Sequence, residues 1–310
     1  MLKAKRVVSI SLGSSLRDHV ATATLLGTPV EITRRGYDGD LVAAERAIAE
    51  ADGHVDAIGL GGLDVYLRIG EDRYVVADGE RLLRAARSTP VVDGSGLKET
   101  LEPTAVRYLA AHGPVPLAGL PVLLVSVLDR YGLAVALEAA GCKVVYGDLM
   151  FTAGIPYPIT SLAEARRIAR RLAGELVKLP LRLLYPQGEG QTLPPAASFP
   201  EEYERAALIA GDYHLIRRHL PPRLDGKAVL TNTTTAADRA DLARRGAHWV
   251  WTTTPLLDGR SFGTNALEAA LVAVLGSGAQ GVPPAAYEAA LRQMDYRPAV
   301  VDLRGGVPGP

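Results

Sequence analysis

The chain has 310 residues, is 48% hydrophobic and 22% charged, and its 34 basic and 34 acidic side chains cancel. That composition is globular, and a chain of this length buries enough surface to fold without disulfide or metal staples. A charge balance of zero offers no basic excess for binding nucleic acid through phosphate neutralisation, and the single cysteine, Cys142, excludes an intrachain disulfide and a cysteine-rich zinc site.

Taken in chain order, short apolar runs alternate with helical periodicity. Strands are predicted over 6–11, 29–33, 55–60, 90–93, 121–126, 143–147, 207–211, 228–232 and 248–252. Most are apolar on both faces, which belongs to parallel sheets covered by helices. Between them, helices are predicted over 41–51, 80–87, 97–111, 133–140, 162–179, 235–245 and 264–275. Residues 65–76 alternate about Gly70-Glu71-Asp72 and read as a β-hairpin decorating the first sheet. The fold class is therefore α/β. A Pro/Gly stretch over 113–121 divides the chain into a parallel-sheet substrate domain, 1–115, and a Rossmann-like dinucleotide-binding domain, 116–282. A C-terminal segment, 283–310, with a helix over 285–294, packs back on the first domain, and 187–200 reads as loop. No apolar run approaches the roughly 20 residues of a membrane helix, and the basic start lacks the apolar stretch of a signal peptide. The expected protein is cytoplasmic, with a small-molecule substrate, no nucleic-acid or membrane partner, and a homodimer left open.

The unit from Pro121 to Asp148 reads strand, tight loop, helix, glycine stop, strand and acidic end. In a dinucleotide-binding fold the helix N-terminus faces the pyrophosphate, and an acid ending the second strand accepts from the adenosine ribose. Ser126, Asp129, Arg130 and Gly132 then surround the phosphates and Asp148 takes the ribose, which favours NAD over NADP. The expected G-x-G-x-x-G is reduced to Gly132, and Arg130 is the group able to compensate by binding phosphate. This reading requires the amides after residue 126 to open on a crevice.

Three Gly/Ser-rich strand ends of the first domain should converge as ligand loops. One carries Ser14 and Ser15 and runs into His19; the others end in Asp64 and in Asp93. Lys98 is one of only six lysines and opens a helix. A cation is disfavoured there, so a depressed pKa and an acid–base role are expected, with Asp93 and Asp64 as candidate partners. In the second domain Asn232, Thr233 and Thr253 end strands on the cofactor side. Arg260 and Asn265 suit a carboxylate, and His214 is a candidate acid or base. No histidine spacing suits a metal, and none is expected.

Residues 9–19, 91–101, 210–214 with Arg217 and Arg218, and 252–255 with 259–265 resemble bacterial quinate 5-dehydrogenases over nearly the whole chain. That resemblance implies the domain order read above. It also implies hydride transfer from a ring alcohol of a quinate- or shikimate-like acid to NAD(P), while a lysine–aspartate pair handles the proton. Lys98 matches that lysine by position, and Asn232-Thr233-Thr234 matches an Asn-x-Thr strand end. The loss of two glycines favours a different enzyme, a transferase or lyase using a phosphorylated or nucleotide-linked metabolite in the same cleft. A non-catalytic metabolite-binding protein is the third reading.

Overall fold

The computed structural model describes residues 3–180, 198–257, 260–276 and 282–305. All nine predicted strands form, in two sheets. The first contains β1 (Lys5–Ser11), β2 (His19–Leu25), β3 (Thr28–Gly36), β4 (Ala57–Gly61) and β7 (Val91–Val92), in the order β2-β3-β1-β4-β7. Its strands are parallel except for β2, which pairs antiparallel with β3. The sequence reading missed β2. It is an edge strand of small and β-branched residues with one wet face, so the long apolar run that marks a central strand is absent.

Helix α1 (Leu41–Ala51) starts where the Asp40 carboxylate accepts from the Val42 and Ala43 amides, which satisfies two of the donors a helix start leaves free. The predicted hairpin forms as β5 (Tyr66–Ile69) and β6 (Asp72–Val75), a separate two-stranded sheet. After α2 (Ala77–Leu83) and β7 comes α3 (Ser95–His112). It is entered through Gly94 at φ 96°, a left-handed conformation that glycine adopts without penalty.

The second sheet has six strands in the order β15-β12-β11-β10-β8-β9. These are β8 (Pro121–Leu124), β9 (Lys143–Tyr146), β10 (Leu208–Ala210), β11 (Ala228–Thr231), β12 (Trp249–Thr252) and β15 (Ala299–Asp302). All pairs are parallel except β12 with β15. Helices α4 (Tyr131–Ala139), α5 (Asp148–Ala153), α6 (Leu162–Leu176), α7 (Pro200–Arg205), α8 (Tyr213–Arg218) and α9 (Ala236–Arg244) connect them, and a short hairpin pairs β13 (Leu256–Leu257) with β14 (Arg260–Ser261). The two-unit α/β architecture stands. Of the loop expected over 187–200, the part before residue 198 lies outside the described residues.

One helix crosses the expected division. Helix α10 (Thr264–Leu275) follows the last parallel strand of the second sheet yet packs on β1, β3 and β4 of the first. Leu267, Ala270 and Leu271 share a core there with Val7, Ile32 and Leu97. The chain therefore returns to the first unit at 264, not at 283. Helix α11 (Pro284–Gln293) then packs on α3, and β15 carries the chain back to the second sheet. Helix α10 is buried on nearly every side, as a core helix should be.

Its close approach explains several glycines. A Cβ on Gly59 would sit 2.7 Å from the Asn265 carbonyl oxygen, and one on Gly94 2.9 Å from the Asn265 amide. Gly59→Ala is expected to lose about 1–3 kcal/mol by overpacking, read by denaturant unfolding, because the contact is backbone and cannot swing aside. Unchanged stability would mean that α10 can lift off the sheet freely. Among the described residues no helix is long and apolar enough to cross a membrane.

Candidate active site

The carboxyl ends of both parallel sheets face a cleft of about 1050 Å³ between the two units. Ser9 and Ser11 line it from β1, Arg34 from β3, Lys98 from α3, and Asn232 and Thr233 from the loop after β11. This is where an open α/β sheet places ligands.

Its floor is charged and buried. The Lys98 ammonium donates to Asp64 Oδ2 at 2.7 Å and to the Asp129 carbonyl oxygen at 3.2 Å, and Asp129 Oδ1 lies 3.4 Å away. Lys98 is 8% exposed and Asp64 9%. Burial alone would lower the lysine's pKa, but the Asp129 and Asp64 carboxyl groups outweigh it and hold the ammonium charged, above its usual range. The expected depression does not occur. Burial drives Asp64 well above the usual carboxylate range, against the pull of Lys98, and its hydrogen-bonded neighbour Asp129 pushes it further. Asp129 is held low by Lys98 and Arg130 despite its burial. Asp64 is thus the carboxyl pushed toward its protonated form, and Asp129 the one held ionised beside the ammonium. Two carboxyl groups this close share a proton.

Arg130 lies beneath. Its guanidinium pairs with Glu102, with Asp129 at 3.1 Å and with Asp212 at 3.1 Å. It is 3% exposed. Glu102 and Asp212 were not anticipated, although Glu102 stands four residues after Lys98 and so on the same helix face.

The other expected residues divide. Asp93 is not the partner of Lys98. Its carboxylate accepts from the Val65, Tyr66 and Ser95 amides and the Ser95 hydroxyl, at 2.6–3.2 Å, and braces the loop behind the lysine. Asn265 reaches the cleft, but its Nδ2 donates to Ser9 Oγ at 2.8 Å and anchors α10 to β1. His19 and His214 line the cleft; Arg17 Nη1 donates to His214 Nε2 at 2.9 Å and so joins the two units across it. Asn232 lines the wall while donating to Asp212, and Thr233 meets Ser261 Oγ at 2.5 Å. Ser14, Ser15 and Thr253 do not line the cleft. The Ser14 hydroxyl accepts from the Leu16 amide, Ser15 is exposed, and Thr253 is buried with its carbonyl accepting from Tyr296. Arg260 begins β14, and its side chain lies outside the described residues. Arg34 and Arg239 also line the cleft and were not singled out. Arg34 bonds Asp18 and Ser11 Oγ at 2.8 and 3.2 Å.

The loop assigned to a dinucleotide does not fit one. Asp148 is turned inward, 6% exposed, and accepts from the Val127 and Leu128 amides and the Ser126 hydroxyl. Burial lifts its pKa although these donors oppose the shift. Ser126 in turn accepts from the Asp129 amide. Gly132 packs against the α3 backbone, with Glu99 Cα 3.8 Å from where its Cβ would be. Ser126 and Asp148 are engaged with each other and with the turn amides, and Arg130 with three carboxyl groups.

Comparison with known families gives two matches. A "Domain of unknown function (DUF8753)" matches residues 6–93, and a "Domain of unknown function (DUF8754)" matches residues 96–303, more than half of the chain. The chain belongs to the DUF8754 family. No curated protein matches this DUF8754 member. Solved structures similar to it include an ABC transporter solute-binding protein from Burkholderia multivorans, 12% identical, TM-score 0.39, covering 96% of this chain and 99% of that one. L-tryptophan dehydrogenase from Nostoc punctiforme is 11% identical, TM-score 0.33, covering 95% and 79%. The NAD-dependent malic enzyme of Thermotoga maritima is 14% identical, TM-score 0.30, covering 85% and 69%.

Proposed function

We propose that the cleft is an active site that moves a proton on a small hydroxylated carboxylate. The observation that carries this reading is the Lys98–Asp64 contact of 2.7 Å, with Asp129 beside it, on the floor of an open cleft. Asp64, the carboxyl that burial pushes toward its protonated form, exchanges the proton with the substrate. The Lys98 ammonium hydrogen-bonds the oxygen on which charge develops, and Asp129 keeps the lysine charged. Ser9 and Ser11 offer hydroxyls to a polyol, while Arg17 and Arg34 supply positive charge for a carboxylate.

In the finer reading the reaction is the oxidation of a quinate- or shikimate-like alcohol, in which the Asp129–Asp64 carboxyl pair would take up the hydroxyl proton and NAD would accept the hydride. The cleft's volume favours a second ligand, since about 1050 Å³ is at the upper end of ordinary small-molecule sites. Asn232 and Thr233 are the residues that would hold a nicotinamide, without help from the loop that Asp148 occupies.

The test is a melting-temperature screen of quinate, shikimate and related hydroxy acids, followed by turnover with and without NAD or NADP. A stabilising acid is expected, and Asp64→Asn should bind it while losing about 100-fold or more in turnover. Lys98→Met should lose both. Full turnover in either variant would remove the assignment. Absorbance of reduced cofactor decides between redox and proton transfer alone.

A further inference from the structure

We infer that the turn between β8 and α4 is filled by the Asp148 carboxyl group in the position a diphosphate would take, so this turn holds no phosphate-bearing cofactor. This stands apart from the proton-transfer reading, because the Asp148 contacts that carry it do not involve Lys98.

The turn lies where a phosphate site is expected. In the second sheet β8 has β9 on one side and β10 on the other. The crossover from β8 goes one way and the next returns past it, which is the reversal point where parallel sheets bind nucleotides. The turn amides are present, but they already have an acceptor. Val127 donates to both Asp148 oxygens at 3.0 and 2.9 Å, and Leu128 donates at 3.1 Å. The Ser126 hydroxyl adds a bond at 3.2 Å. A carboxyl group on two successive amides and a hydroxyl has the contacts that such a turn offers a phosphate.

Behind the turn, Tyr131 and Gly132, the first residues of α4, line a pocket of about 20 Å³ walled by α3. That holds about one water molecule. Glu99, Glu102 and Asp129 line it together with Arg68 and Lys98, so its charges are already matched within the protein. The cations in reach are already paired: Arg130 with three carboxyl groups, Lys98 with Asp64 and Asp129, and Arg68 with Glu99.

The experiment uses inorganic pyrophosphate and NAD as probes. In the wild type, neither should move the backbone amide resonances of Val127 and Leu128. In Asp148→Ala the turn regains free donors, and pyrophosphate should raise its melting temperature by about 2–4 °C while leaving the wild type unchanged. Asp148→Asn keeps the side-chain shape and should show no response. Wild-type Val127 and Leu128 resonances that shift with either probe would overturn the inference, as would an Asp148→Ala protein that folds and ignores pyrophosphate. If that variant does not fold, the wild-type spectra decide alone.

Discussion

Arg130→Met is expected to destabilise the protein by about 3–5 kcal/mol, the range found when one partner is removed from a buried ion pair. The arginine is 3% exposed, and its closest partner, Glu102, is 1% exposed. In the variant, Lys98 is left to face the carboxyl groups of Asp64, Glu102 and Asp129, and Asp212 keeps its bonds to Asn232 and the His214 amide. Water cannot replace the guanidinium, because methionine fills most of its volume. The carboxyl groups must then take up protons or the floor must open. Burial already raises the Glu102 pKa against the pull of Arg130, so protonation there is the easier route. The loss should shrink as the pH falls, and Glu102→Gln should recover part of it. Chemical denaturation of both variants at pH 5 and pH 8 checks this. A variant as stable as the wild type would show that the ionic floor contributes nothing net.

Glu268→Gln is expected to stabilise the protein at alkaline pH. The Glu268 side chain, on α10, accepts from the Gly94 and Leu97 amides at the start of α3 and from the Tyr287 hydroxyl on α11. It thereby ties three helices together beneath Lys98. Burial, with Asp93 nearby, pushes its pKa from 4.5 to about 7 in the fold. A raised folded pKa means that the protonated form suits the fold better. The stabilisation is complete below the unfolded value of 4.5 and is lost as the pH rises through about 7. That loss is on the order of 3 kcal/mol between pH 4 and pH 8. Glutamine has no proton to lose. The variant and the wild type should melt together near pH 5, with the variant ahead at pH 8. Parallel pH profiles would show that Glu268 is already ionised.

The sheets were legible because their strands are short, apolar on both faces and ended by glycine, serine or aspartate, a pattern that buried parallel strands require. The sheet that α10 covers was not legible. An apolar helix after β12 satisfies either sheet by periodicity alone. The deciding signal lay far away in sequence, in Gly59 and Gly94, which clear space for Asn265. Lys98 and Asp64 could be read because a scarce cation and a carboxyl each follow a strand end. Asp93 was misjudged because nearness in sequence to Lys98 says nothing about the Val65 and Ser95 amides that claim its oxygens. Asp148 is the sharper case. A carboxyl at the end of a second strand looks the same whether it turns outward to a ribose or inward to amides. Only the missing glycines before Gly132 hinted at the inward choice, since a turn that never meets a diphosphate has no need of them.

The family boundary between 93 and 96 passes through the middle of a hydrophobic core. The five strands of the first sheet, all on its near side, present Val7 and Ile32, and the helices that shield these two residues, α3, α10 and α11, come from its far side. A polypeptide nicked there should yield two fragments that are insoluble apart and combine on mixing. A gene encoding the 6–93 segment by itself would need a helical companion supplied from elsewhere to give a soluble product.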